Sequence, residues 1–161
     1  MAAPLAVHHV SVAVEHGQIL LSDAVHGDLD GIEDALDDAI DSGRYVGTAS
    51  GIIDIMTPAA DSTGTPVTIE EWATEPPDDR HDWHHEVDLD LDVPSGQLEV
   101  HLTTGPITNG TITLTTPGPR RLRVSARFAD DRGDAYRLRT WPRTADAPPE
   151  IRRAWPGWPQ F

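Results

Sequence analysis

The sequence predicts a mainly β protein: an antiparallel β-sandwich with one principal amphipathic helix near residues 28–43. The first observation is the alternation of apolar and polar residues over residues 86–93, 98–102 and 121–128, which is typical of strands with one buried face. The second is one stretch with apolar residues at helical spacing, bounded by residues that start and stop helices. Turn signals separate about eight or nine strands, a number that fits a sandwich.

The length of 161 residues is that of one ordinary domain. We therefore expect residues 1–161 to form a single domain. The last part, residues 142–161, is rich in proline, tryptophan and arginine, and we expect this tail to be irregular and packed on the body. Trp155, Trp158 and Phe161 would then cover an edge or a face of a sheet.

Two strands are expected near the start of the chain. Val10, Val12 and Val14 alternate with small residues, and a second apolar run follows residues 16–17. Because glycine favours a turn, residues 16–17 are predicted to join these two strands.

The middle of the chain divides into further strands and loops. Residues 51–56 and 67–72 are apolar enough to predict strands. Residues 61–66 and 74–82 are polar and contain proline, so we expect loops there. The Asn-Gly dipeptide at 109–110 is typical of a tight hairpin turn.

The predicted helix has one apolar side and one acidic side. Asp28 or Asp30 would begin the helix, and Gly43 would end it. The apolar stripe comprises Ile32, Ala35, Leu36, Ala39 and Ile40. The acidic side is the candidate partner-binding site, and it comprises Asp30, Glu33, Asp34, Asp37, Asp38 and Asp41. Two interpretations stay open at this point: a solvated helix face and an electrostatic docking surface.

The charge of the chain is strongly negative and unevenly distributed. There are 27 acidic residues, and the 12 Lys and Arg residues are all arginine, which gives a net charge of −15. Residues 1–119 contain 22 acidic residues and only Arg44 and Arg80, whereas residues 120–161 contain 10 arginines and 5 acidic residues. Such a charge repels nucleic acid and anionic membranes and favours basic partners. It also fits a general need for solubility, and this alternative stays open.

The sequence contains no recognisable catalytic motif. It has no glycine-rich phosphate loop, no Gly-x-Ser-x-Gly elbow and no dinucleotide fingerprint, and without cysteine it has no thiol nucleophile. We therefore predict a protein that is not an enzyme, with no catalytic residues and no cofactor. The first residues lack the pattern of a signal peptide, and no apolar run approaches the roughly 20 residues of a membrane helix, so we expect a cytoplasmic protein.

Residues 81–92 support the alternative prediction, a metal-binding β-sandwich protein or a metal-dependent enzyme. They contain His81, His84 and His85 among several carboxylates, and imidazole and carboxylate groups suit zinc or another transition metal. In a strand, however, His84 and His85 point to opposite faces, so these residues do not form one convergent ligand set. We predict no metal site.

Four carboxylates form a row on one face of the strand at 86–93: Glu86, Asp88, Asp90 and Asp92. Calcium needs convergent oxygen ligands, whereas the carboxylates of a straight row diverge. The row would suit a basic protein, or it would face arginines of a neighbouring C-terminal strand, because opposite charges across strands stabilise a sheet. The separation of acids and arginines along the chain favours the second interpretation.

The order of these elements resembles a known family. The N-terminal strand pair with His16 and Gln18, the acidic helix ending in residues 39–43, and the apolar segment at 45–55 are similar to the ComJ-type inhibitors of competence DNA-entry nucleases. The resemblance covers mainly the first third of the chain, and two later strands match in order and length. It implies an acidic, immunity-like inhibitor that occupies the basic active-site groove of a nuclease.

These observations together predict an acidic protein-binding module that resembles an inhibitor of a nuclease. Its partner would be a basic protein, and the resemblance implies a nuclease. We expect neither direct nucleic-acid binding nor membrane binding, because the negative charge opposes both.

Overall fold

The computed structural model describes residues 2–24, 30–102, 108–129 and 133–159. Within them the chain forms eleven strands and one α-helix. In chain order these are β1 (Ala6–Val14), β2 (Gln18–Asp23), α1 (Ile32–Asp41), β3 (Val46–Ala49), β4 (Ile52–Met56), β5 (Ser62–Glu71), β6 (His85–Val93), β7 (Gln97–His101), β8 (Thr108–Thr113), β9 (Gly118–Ala129), β10 (Gly133–Pro142) and β11 (Glu150–Arg153). A single 3₁₀ turn, Arg80–Asp82, precedes β6.

The strands form two sheets that pack face to face. Sheet A has six strands in the order β1-β5-β10-β9-β6-β11, and sheet B has five in the order β3-β4-β2-β7-β8. All neighbouring strands are antiparallel except β5 and β10, which are parallel. The predicted mainly β sandwich with one principal helix is confirmed, with this one parallel pair as a departure from the antiparallel pattern.

The hydrophobic core lies between the two sheets, where the alternating strands place their apolar residues. In β6 the inward residues are Val87, Leu89, Leu91 and Val93, and all four are buried. They meet Ile19, Leu21, Ile53, Ile55, Leu98 and Val100 of sheet B in one cluster. Because only one face of each strand enters this core, alternation was a sound guide to these strands.

The turn at residues 16–17 is present, but it joins strands of different sheets. His16 and Gly17 have φ values of +55° and +69°, the left-handed region that glycine favours. The turn carries the chain from β1 at the edge of sheet A to β2 in the middle of sheet B.

Two predicted loop segments are strands. Residues 62–66 form the first half of β5, where Ser11 of β1 lies opposite Pro66. The Asn-Gly pair at 109–110 lies inside β8, and Gly110 is opposite Val100. The expectations of a loop and of a hairpin turn were wrong because pairing with a distant strand outweighed the local turn preference.

Part of the tail is also more regular than expected. Residues 142–161 were predicted to be irregular, yet Glu150–Arg153 forms β11 and pairs with β6 at the edge of sheet A. The reason is that β6 would otherwise present unpaired backbone groups at the sheet edge. Beyond β11, Trp158 is 8% exposed and packs on Tyr45, whereas Phe161 lies outside the described residues.

Helix α1 lies on the outer face of sheet B, so the predicted helix is confirmed. Ala35 and Ala39 are buried against the sheet. Gly47 of β3 is required at this contact, because a Cβ atom there would lie 1.9 Å from the Ala35 carbonyl oxygen. Of the two expected N-cap residues, Asp28 lies outside the described residues, and the expectation for Asp30 was wrong because the N-cap is Gly31, with no side-chain hydrogen bond to the helix. No helix in the described segments has the length and apolar character needed to cross a membrane.

Candidate protein-binding surface

Helix α1 presents its carboxylates on the side that faces away from sheet B. Glu33, Asp34, Asp37 and Asp41 are exposed, and Asp30 is exposed just before the helix begins. The apolar stripe is anchored on sheet B, so these side chains start from a fixed backbone. We call this set of five residues the α1 acidic face.

Asp38, the sixth residue of the predicted site, has a different role. Its carboxylate forms an ion pair with Arg44 and accepts a hydrogen bond from the Thr48 amide at 2.9 Å. It is half-buried between the helix and β3. Asp38 therefore ties α1 to sheet B.

The electrostatics of α1 are unfavourable at its C-terminal end. The last turn contains no basic residue, and Asp37 and Asp41 lie near the negative end of the helix dipole. Each such contact costs a few tenths of a kcal/mol. The placement of these carboxylates therefore does not contribute to the stability of the helix.

The row of carboxylates on β6 faces arginines, as the charge distribution predicted. Arg123 of β9 lies opposite Asp88 and donates to both of its oxygens, at 2.8 and 2.9 Å. Arg121 lies opposite Asp90 and donates to it at 2.8 Å. The other two acids are bound by the C-terminal segment: Glu86 by Arg152 at 2.9 Å and Asp92 by Arg143 at 2.7 Å.

A second group of acids in this network was missed by the sequence analysis. Glu75 and Asp79 lie in the segment predicted as a surface loop, at 74–82. Glu75 accepts from Arg123 at 2.8 Å, and Asp79 accepts from Arg137 at 2.6 Å and from Arg139 at 2.9 Å. The only signal in the sequence was the excess of acidic residues before residue 119 over nearby arginines.

This loop and the C-terminal segment cover the outer face of sheet A. Arg123 and Glu86 are fully buried, and Arg139 is 2% exposed. The carboxylate row is therefore neutralised by arginines, and it is covered at Glu86 and Asp88, partly covered at Asp90 and exposed at Asp92. Of the two acidic surfaces that the sequence offered, the α1 acidic face is the one presented to solvent.

The histidines of residues 81–86 lie apart, as strand geometry required. His84 is exposed and accepts a hydrogen bond from the Phe128 amide at 2.8 Å, whereas His85 is buried and bonds to the Arg44 carbonyl at 2.6 Å. His81 is exposed in the 3₁₀ turn. In the segments that the structure describes, no group of three or more histidine or carboxylate side chains is arranged to hold a metal.

We expect purified protein to contain no stoichiometric metal, because the carboxylates of Glu86 and Asp88 are engaged by arginines and the rings of His84 and His85 diverge. Elemental analysis after dialysis checks this. About one zinc or calcium per chain, lost in the double variant His81→Ala, His84→Ala, would overturn it.

Two packed sheets with a helix on the outer face of the smaller sheet define a ComJ-like β-sandwich. The structure is similar to that of ComJ, inhibitor of the DNA degrading activity of NucA, from Bacillus subtilis, with a TM-score of 0.62 and 14% identity over 89% of this chain and 99% of ComJ. It is also similar to the solved structure of crocagin biosynthetic gene J, with a TM-score of 0.58 and 14% identity over 86% of this chain and 99% of the other. The predicted resemblance to ComJ is confirmed for the fold.

No protein-family model matches the sequence, and a search of curated proteins finds no significant relative. At 14% identity the two structural similarities concern the fold, and function must be argued from the surface.

Proposed function

We propose that this protein is an acidic protein-binding module that inhibits a nuclease, with the α1 acidic face docking on a basic active-site groove. The observation that carries the proposal is an exposed set of carboxylates held on a packed helix, in a fold shared with a nuclease inhibitor. The module acts by binding and carries out no reaction of its own.

The negative charge of the chain indicates the kind of partner that it binds. A DNA-cleaving enzyme needs a cationic groove to hold the phosphate backbone, and an acidic surface competes for the same groove. With a net charge of −15, the chain attracts basic proteins and repels nucleic acid and anionic membranes. Electrostatic steering of this kind raises association rates by roughly 10–10³-fold at low salt.

The support of α1 makes its acidic face suitable for docking. Buried Ala35 and Ala39 anchor the helix, and Asp38 binds both Arg44 and the Thr48 amide. A helix held in this way loses less conformational entropy on binding than a disordered acidic tail would. More of the interaction energy therefore appears as affinity. We infer that the helix is the element that places the charges.

The test removes four charges from the exposed face and leaves Asp38 in place. The variant Glu33→Gln, Asp34→Asn, Asp37→Asn, Asp41→Asn should keep its fold, because all four side chains are exposed. It should bind the nuclease captured from native cells about tenfold more weakly or worse, with a flatter salt dependence, since most of the loss lies in steering and rim contacts. The measurement is a titration of DNA cleavage at two ionic strengths.

The matched control changes the net charge by the same amount at other places. Asp61→Asn, Asp82→Asn, Asp146→Asn, Glu150→Gln removes four exposed carboxylates that lie outside α1. It should inhibit nearly as well as wild type. Equal losses in the two variants would show that only total charge matters, and no loss in the α1 variant would place the docking surface elsewhere.

A further inference from the structure

The C-terminal end of α1 is covered by an aromatic side chain from the end of the described chain. Trp158 stacks on Tyr45, with ring centroids 4.3 Å apart and an interplanar angle of 14°. It also packs with Ala39 of α1 and Met56 of β4 in one cluster. Tyr45 itself is joined to the helix, because its amide donates to the Ala39 carbonyl at 2.9 Å.

Buried His85 connects this aromatic contact to Arg44, which lies shortly after the end of the helix. Its Nε2 lies 2.6 Å from the Arg44 carbonyl oxygen. Its Nδ1 lies 3.1 Å from the Trp155 amide nitrogen and 3.5 Å from Trp158 Nε1. One imidazole therefore bridges the chain after α1 and the segment of residues 154–159.

The hydrogen-bond pattern requires a neutral imidazole. A carbonyl oxygen only accepts, so Nε2 of His85 must carry the proton and donate to Arg44. The Trp155 amide and the Trp158 indole only donate, so Nδ1 must present its lone pair to them. A second proton at Nδ1 would face two N–H groups, and both contacts would break.

We propose that residues 154–159 form a clamp on the C-terminal end of α1, and that neutral His85 is the positioning residue that holds the clamp closed. The need for such a clamp is visible in the helix, which is 10 residues long and has acidic residues but no basic residue in its last turn. A helix this short is marginal without tertiary packing. The clamp is linked to the proposed function only because the helix that it holds carries the proposed docking face.

The charged groups around His85 do not offset a charge on its ring. The Arg44 guanidinium is turned to Asp38, and Arg153 donates to the carbonyls of Arg80 and His81. Glu86 points to the other face of sheet A, where it meets Arg152. Asp41 of α1 and Arg127 of β9 are exposed. Burial lowers the pKa of His85, and the bond to the Arg44 carbonyl only partly opposes this effect.

The stability that neutral His85 contributes depends on pH. An imidazole whose pKa is lowered on folding contributes stability at a pH above its ordinary value of 6.5, and that contribution is lost as pH falls below this value. The clamp should therefore be weaker at acid pH than at pH 7.5.

Hydrogen–deuterium exchange of the last-turn amides of α1, corrected for the intrinsic rate, tests the clamp without a partner. Trp158→Ala should raise their exchange by about tenfold or more at pH 7.5 and leave the core of sheet A protected. The pH response is measured in an Asp54→Asn background, because the pKa of the buried Asp54 carboxyl on β4 is raised to about 7 and its protonation would stabilise the protein over the same range. In that background, exchange should show a similar rise between pH 7.5 and pH 5. His85→Gln should lose this pH response, whereas His84→Gln, an exposed neighbour, should keep it.

Two results would overturn the clamp: unchanged α1 exchange in a folded Trp158→Ala protein, or an undiminished pH response in His85→Gln. The second variant keeps Trp158, so it decides the question even where Trp158→Ala does not fold. Nuclease inhibition is measured separately. A loosened helix with full inhibition would leave the clamp standing and contradict the docking role of α1, whereas unchanged exchange would remove the clamp whatever the inhibition.

Discussion

Replacing Arg123 with alanine is expected to lower the free energy of unfolding by about 3–5 kcal/mol, the typical cost of removing one partner from a buried ion pair. Arg123 is fully buried at the centre of the outer face of sheet A. It donates to both oxygens of Asp88 and to Glu75, and its Nε lies 3.8 Å from Glu86. Without the guanidinium, the buried Asp88 carboxylate loses its nearest positive charge.

The physical reason is desolvation. Asp88 and Glu86 are taken out of water by the loop at 74–82 and by the C-terminal segment, and arginines replace the water. A charge that is buried without a partner retains the desolvation cost and loses the compensating attraction. Arg152 still reaches Glu86 at 2.9 Å but Asp88 only at 3.6 Å, so the loss falls mainly on Asp88.

Urea unfolding followed by far-UV circular dichroism measures the effect. The matched control is Arg127→Ala on the same face of the same strand, because Arg127 is exposed and lies over the Trp83 ring at 4.6 Å. That control should cost about 1 kcal/mol or less. Similar losses in the two variants would contradict the central role of the buried network.

The second large effect concerns Asp54, a fully buried carboxylate on β4 beneath α1. Neither of its oxygens has a hydrogen-bond partner. Burial raises its pKa from 3.8 to about 7. Between these values the folded protein holds a proton that the unfolded chain releases, so the stability from this group is full below pH 3.8 and is lost as pH rises through about 7.

Asp54→Asn should remove this pH dependence. A difference of about three pKa units corresponds to about 4 kcal/mol, so the free energy of unfolding of wild type relative to the variant should fall by up to about 4 kcal/mol between pH 4 and pH 8. Burying the amide side chain of the variant costs the same free energy at every pH. Any pH-dependent difference in stability between wild type and variant therefore comes from the Asp54 carboxyl group. Urea unfolding at four pH values gives the two curves.

The exposed Asp61→Asn provides the control, with an expected change below about 0.5 kcal/mol at each pH. Parallel curves for wild type and Asp54→Asn would mean that the Asp54 carboxyl group does not titrate under α1 as its burial requires.

The sequence was sufficient for the fold class and for most strands. Alternation in residues 86–93 and 121–128 predicts which side chains enter the core between the sheets, because a strand with one apolar face leaves a local, period-2 record. The spacing of residues 32–40 likewise predicted α1 and its division into an apolar side and an acidic side. The excess of acids before residue 119 was enough to predict that the β6 carboxylates face arginines, since like charges on adjacent strands are unfavourable.

Only the tertiary structure decided which strands pair and which acids are exposed. The turn at 16–17 joins two sheets, and residues 62–66 and 108–110 belong to strands, because their partners are distant in the sequence and local propensity does not report them. The tertiary structure also decided which charged side chains are paired. Asp37 and Asp38 are adjacent aspartates, yet Asp38 pairs with Arg44 whereas Asp37 is exposed. Burial and pairing are properties of the packed chain.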